Sequence, residues 1–219
     1  MNEAARRRLV NLGCGPRTRR TVWEDFDGSW NLRWQLSIPG RLWHGLLRMP
    51  AHEQWPRHVR HIELRARLPF PDGSIDAVYS SHVLEHLHLE EGRSLLSECR
   101  RVLKTGSGVV RLVLPDTRRI VGEYLASDSP EAAERLNSEL MFRPLVRARG
   151  LKRLYHALAD FHSHKFMYDE AFLMHLLHAT GFREACVRSF GESLIPEVME
   201  VEDPGRVLDG AGFVVEALA

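Results

Sequence analysis

Cysteine is scarce and scattered in this chain. Cys14, Cys99 and Cys186 are the only three, and no two share Cys-x-x-Cys spacing. That excludes a disulfide framework and a zinc ribbon and leaves reduced thiols. No apolar run is long enough to span a bilayer, so no membrane span is expected. Met1 to Arg8 lack the apolar stretch of a secretory signal, and the expected compartment is the cytoplasm. An excess of one charge is missing too. Thirty Lys and Arg stand against 29 Asp and Glu, a formal net charge of +1, so no global field draws the protein to nucleic acid or anionic lipid. The local basic cluster of Arg6, Arg7 and Arg8 with Arg17, Arg19 and Arg20 is more simply solvated surface. What is present is an ordinary globular composition, 44% hydrophobic and 27% charged over 219 residues. That is enough for one domain with a substantial core.

Short apolar runs alternate with helical patterns. Strands are expected at Arg8–Leu12, Val22–Asp27, Val59–Leu64, Ile75–Ser80 and Val109–Leu114, with late strands at Ala185–Phe190 and Phe213–Leu218. Glu85 to Leu103 places Leu87, Leu95, Leu96, Cys99, Val102 and Leu103 on one helical face. Tyr168 to Thr180 repeats apolar residues at helical spacing and ends at Gly181, a C-cap. This order implies an α/β, doubly wound, mostly parallel seven-stranded sheet with helices on both faces. Two stretches break the alternation, 28–58 and 117–167, the second largely helical with breaks at Pro130 and Pro144. Both are expected to be cap insertions over the carboxyl edge of a single domain spanning 1–219. Trp30, Trp34, Trp43 and Trp55 fall in the first insertion, just after Trp23. They would either wall an acceptor site or tie the insertion to the core.

The first strand runs into Leu12-Gly13-Cys14-Gly15-Pro16. Two glycines without a Cβ let a ligand approach the backbone closely. A third glycine is absent, because Thr18 stands where a dinucleotide fingerprint needs one. Only a few residues separate Pro16 from Val22, too few for a crossover helix whose N-terminus would hold a pyrophosphate. Both facts disfavour NAD and FAD. Asp27 ends the second strand, where an acid can accept both hydroxyls of a ribose or simply make a turn.

The next blocks are Leu68-Pro69-Phe70, a turn at Asp72-Gly73-Ser74, a strand with Asp76-Ala77-Val78, then Leu84-Glu85-His86. Arg101-Val102-Leu103-Lys104 leads to Gly106-Ser107-Gly108 before the fifth strand. In this order they resemble the core of the class I S-adenosylmethionine (SAM)-dependent methyltransferases, a Rossmann-like fold. The pattern is most similar to a small bacterial subgroup that begins Leu-Asn-Leu-Gly-Cys-Gly-Pro. It departs at Glu63, often Asp in the family, at Val22, often Gly, and at Thr105, often Pro. The later run from His162 and His164 through Tyr168-Asp169 to Gly181-Phe182 also resembles this subgroup, as do Ile195-Pro196-Glu197 and Val214 to Ala217.

The resemblance implies SAM as cofactor. Gly13, Cys14 and Gly15 would pass the methionine part, Asp27 would hold the ribose, Leu64 and Arg65 would flank the adenine, and Ser81 and His82 would sit near the sulfonium. It implies methyl transfer to a small-molecule or sugar acceptor, a hydroxyl, in a biosynthetic setting. A base then helps remove the hydroxyl proton. Candidates are His82, His162 and His164, with Asp116 as an orienting carboxylate; a surface turn also explains His162 and His164, and a structural role also explains His86. His82, Glu85 and His86 resemble a metal set of some metal-dependent methyltransferases. Relatives with the same Leu-Glu-His bind none, and no metal is assigned. Nucleic acid is disfavoured as acceptor by the near-zero charge and the lack of an Asn-Pro-Pro-Tyr motif after strand four. A homodimer stays open. The alternative class is a non-catalytic SAM-fold partner or regulator.

Overall fold

The computed structural model describes residues 7–37, 55–142, 163–208 and 212–219. Seven strands form one sheet: β1 Leu9–Leu12, β2 Glu24–Asp27, β3 Arg60–His61, β4 Ala77–Ser81, β5 Val109–Leu114, β6 Arg183–Arg188 and β7 Phe213–Leu218. Their order is β3-β2-β1-β4-β5-β7-β6. The first five strands pair in parallel, and β7 runs antiparallel to both β5 and β6. This is the Rossmann-like, mostly parallel α/β sheet that the alternation of elements implied.

Alternation along the strands sorts their side chains into two faces. Val10, Leu12, Val78, Val110, Leu112 and Val215 enter one core. Helix α2 (Leu89–Val102) covers it with Leu95, Leu96, Cys99 and Val102, and α5 (Glu170–Ala179) covers it with Leu173, Leu176 and Leu177. Leu9, Ala77, Tyr79, Val109, Val113 and Val214 face the other way. The β1–β2 connection carries no helix to cover this second face. Instead Trp23 and the β6–β7 connection, through Ile195 and Val198, close it. The Trp23 Nε1–H donates to the Glu197 carbonyl at 3.0 Å, stitching the two connections together.

That second face also buries charge. Arg111 in β5 has no exposed side-chain surface, and its five N–H donors are all used. They reach Glu202 (2.8 and 2.9 Å), Glu216 (2.8 Å) and the carbonyls of Glu192 and Ser189. Glu216 is the cross-strand neighbour of Arg111.

Some boundaries differ from the periodicity. The helix expected from Glu85 is broken. A 3-10 turn spans Leu84–His86, Leu87 and His88 are extended, and α2 begins at Leu89. The Glu91 carboxylate accepts the His88 amide at 2.9 Å; that back-bond starts a new helix. The edge strand β3 shrinks to two residues, because only Phe26 and Asp27 of β2 offer it partners and a turn follows at Glu63. Strands β5 and β7 have the expected limits. Within the insertions, the described parts are α1 (Trp30–Leu36), α3 (Thr117–Leu125) and α4 (Ala132–Leu140).

Candidate active site

The carboxyl ends of β1, β2 and β4 enclose a cavity of about 270 Å³. Gly13, Gly15, Asp27, Leu64, Arg65 and His82 line it, and with them Val83, His86, Leu87, Glu63, Trp55 and Arg206. The loop after β1 folds back onto β2, with the Gly13 and Cys14 amides donating to the Phe26 carbonyl at 2.8 and 3.2 Å. Gly13 and Gly15 have φ of +74° and +70°, a region that favours glycine. Asp27 ties this loop to the turn after β2: Oδ2 accepts the Gly15 amide (3.0 Å) and Oδ1 the Ser29 amide (2.8 Å). Burial raises the Asp27 pKa, with the two amides pulling it back, and the net shift is upward. Each oxygen keeps a lone pair for a further donor.

At the end of β4 the chain turns sharply. His82 has φ +55°, an uncommon conformation for a residue with a side chain and one that functional sites often store. Its amide is held by the Val113 carbonyl at 2.9 Å. The imidazole Nδ1 lies 3.2 Å from Oε1 of Glu85, which has no exposed surface. Neither Glu85 oxygen has an aligned hydrogen bond. His86 presents Nδ1 to the Ser163 carbonyl at 3.3 Å, and its ring packs edge-on against His164, 5.0 Å between centroids. His164 is buried, and desolvation, ahead of the opposing pull of Glu85, lowers its pKa.

Residues 43–111 match the family model of a methyltransferase domain. That match covers about a third of the chain and makes this segment similar to a methyltransferase domain. Solved structures of the same fold include a SAM-dependent methyltransferase from Archaeoglobus fulgidus, with TM-score 0.50 and 16% identity, covering 98% of this chain and 87% of that one. Another is the PH0226 protein from Pyrococcus horikoshii OT3, with TM-score 0.51 and 14% identity, covering 99% and 84%. A search of curated proteins by sequence finds no match.

The cofactor implied by such a domain is SAM, and the cavity residues fit it. A Cβ at Gly15 would meet no protein atom within 4 Å, so the backbone there is open to a ligand. A buried carboxylate with spare lone pairs adjoins apolar walls of Leu64, Val83 and Leu87. Six of the eight expected cofactor residues line this cavity. Cys14 and Ser81 line a second one, on the face of Asn11 and Tyr79. Cys14 packs against Leu32, Trp55 and Val59; burial, then Asp27 and Asp25, push its thiol pKa up, so it stays protonated. Asp116 caps α3, accepting the Arg118 amide at 2.9 Å, and is not among the residues lining the cavity. His162 lies outside the described residues, as does Trp43. The other tryptophans do not form one wall: Trp23 is core, Trp55 lines the cavity, and Trp30 and Trp34 are about half exposed. Arg206 lacked any sequence signal. It enters from the β6–β7 connection and donates to the Ser81 carbonyl at 3.1 Å.

Proposed function

We propose that this methyltransferase transfers the methyl group to a hydroxyl of a small-molecule or sugar acceptor, with His82 as the general base. The observation that carries this reading is an imidazole on the cavity wall beside a fully buried carboxylate, His82 Nδ1 to Glu85 Oε1 at 3.2 Å. SAM supplies a methyl already activated on a sulfonium, which the acceptor oxygen takes by in-line displacement. As the new O–C bond forms, the electron pair of the broken S–C bond stays on sulfur. The protein must align the partners, exclude water and receive one proton. Glu85, 3.2 Å from Nδ1, stabilises the positive charge that the His82 ring gains when it takes the hydroxyl proton. Gly13 and Gly15 admit the methionine part, Asp27 accepts the ribose hydroxyls, and Leu64 and Arg65 border the base.

The test pairs S-adenosylhomocysteine calorimetry with turnover on a panel of hydroxylated acceptors. His82→Ala is expected to bind S-adenosylhomocysteine like wild type and to lose turnover by about 10² or more. Unchanged turnover would remove His82 as base. A folded wild type that binds no S-adenosylhomocysteine would overturn the whole assignment of the cavity.

A further inference from the structure

Three side chains able to ligate a metal converge beside the cavity. One ligand atom each from Glu85, His86 and His164 lies within 4.8 Å of the other two. Glu85 and His86 belong to the turn after β4, and His164 to the segment before α5. The Lys165 and Phe166 amides, both donating to the Glu85 carbonyl, clamp these distant segments together. We infer that Glu85, His86 and His164 form a binding site for a divalent first-row transition-metal ion such as Zn²⁺.

Several observations point to a ligand and not to a packing cluster. The Glu85 carboxylate is completely buried, and neither oxygen has a hydrogen-bond partner. A buried carboxylate is costly until a cation or donors complete it. His82 Nδ1 lies 3.2 Å from Oε1 but makes no aligned hydrogen bond with it. The Ser163 carbonyl sits opposite Nδ1 of His86. That contact selects the tautomer with hydrogen on Nδ1 and leaves the Nε2 lone pair free to ligate, as a carbonyl does behind a metal-bound histidine. His164 is buried with an Nδ1 that has no partner.

The donor set decides the kind of ion. Two imidazoles and one carboxylate suit zinc and its first-row neighbours, whereas magnesium and calcium prefer oxygen throughout. Ligand bonds of about 2.0–2.2 Å bring ligand atoms to roughly 3.5 Å from one another. Small side-chain rotations therefore close the cluster on an ion. Three protein ligands leave a position open, the pattern of catalytic and not of structural zinc. His86 also lines the cofactor cavity, so the ion stands at its wall. Resting on the hydroxyl-acceptor reading above, the open position takes the acceptor oxygen as a further ligand. The ion then favours loss of the O–H proton to His82, with the bonding electrons left on oxygen.

The test uses tag-free, full-length protein treated with chelator and dialysed. Co²⁺ is titrated as a spectroscopic probe, followed by Zn²⁺ in competition. Wild type is expected to take up one Co²⁺ per chain with visible d–d absorption that Zn²⁺ abolishes. His164→Ala and Glu85→Gln should each weaken uptake at least about tenfold. His164→Ala serves even where the buried Glu85→Gln fails to fold, and circular dichroism checks both. No uptake by wild type, or equal uptake by folded His164→Ala, overturns the site. S-adenosylhomocysteine calorimetry on the same samples separates the two claims. Cofactor binding without Co²⁺ uptake defeats the metal alone, and Co²⁺ uptake without cofactor binding defeats the methyl-transfer reading alone.

Discussion

Gly13 is the most constrained residue of the glycine loop. Its φ is +74°, and a Cβ there would come within 2.1 Å of Val83 Cγ2, a side chain on the cavity wall. Gly15 has nearly the same φ but open space around it. Substitution by alanine at Gly15 should therefore cost about 1 kcal/mol, the price of left-handed backbone alone. Gly13→Ala should cost about 2–3 kcal/mol and also displace Val83. Urea denaturation of the two variants decides it: equal losses would mean that the Val83 contact does not matter. Asp27 makes a different prediction. Asp27→Ala should weaken S-adenosylhomocysteine binding at least tenfold, roughly 1.4 kcal/mol. Because burial raises its pKa above the usual 3.8, the ionised, accepting form is lost earlier on acidification than for a free aspartate. Wild-type affinity should be full above that raised value and fall as pH drops through it, and calorimetry across pH would show no such fall in Asp27→Ala.

Among the elements, α2 is joined to the loop after β3 chiefly through Arg101. Arg101 donates to the carbonyls of Leu68 and Phe70 at 3.0 and 2.9 Å and to the carboxylates of Glu98 and Asp72. The Leu68 amide in turn donates to Glu98 at 2.8 Å. The Leu68-Pro69-Phe70 segment thus owes its position to the last turn of α2. Arg101→Ala should lower stability by about 2 kcal/mol, read from the denaturation midpoint. The Arg101 guanidinium, against a smaller opposing effect of burial, holds Glu98 below its ordinary 4.5. A depressed carboxylate contributes stability that is present above its unfolded value and lost as pH falls through the folded one. The Glu98 contribution should accordingly be present above pH 4.5 and fade below it. In Arg101→Ala that part of the acid transition should flatten.

Across the whole molecule, the second face of the sheet depends on the Arg111 cluster. One guanidinium neutralises Glu216 of β7 and Glu202 of the β6–β7 connection, both without exposed side-chain surface. Glu202 also accepts the Gly191 amide at 2.7 Å, and Glu216 the Leu194 amide at 3.0 Å, so the start of the connection is anchored. Arg111→Met leaves buried Glu202 without a cation and Glu216 with only Arg188, at 3.6 Å, and should cost about 3–5 kcal/mol. Replacing all three charges by apolar residues of similar size should restore most of the loss. A denaturation series over the single and triple variants checks this. A small effect of Arg111→Met would show that apolar packing by Trp23, Ile195 and Val198 suffices. Arg206 reaches the active cavity from this same connection, so a large loss at Arg111 should also weaken S-adenosylhomocysteine binding.

Local signals made much of the protein legible from its sequence. Short apolar runs marked the strands, with β5 and β7 at their observed limits, and the short stretch between Pro16 and Val22 excluded a crossover helix. Glycines ending β1 and an acid ending β2 marked the edge that holds the cavity, since strand ends and chain-reversing residues are set by neighbours in sequence. Contacts between distant segments carry no such signal. Only the tertiary structure turned Cys14 into packing, broke the helix before Leu89 and laid the β6–β7 connection over the uncovered face. Only packing brought His164 beside Glu85 and His86, and Arg206 into the cavity. Arg111 shows the reason most clearly: within Val109–Leu114 a charge looks misplaced, and its partners exist only once β7 and the β6–β7 connection have folded against it.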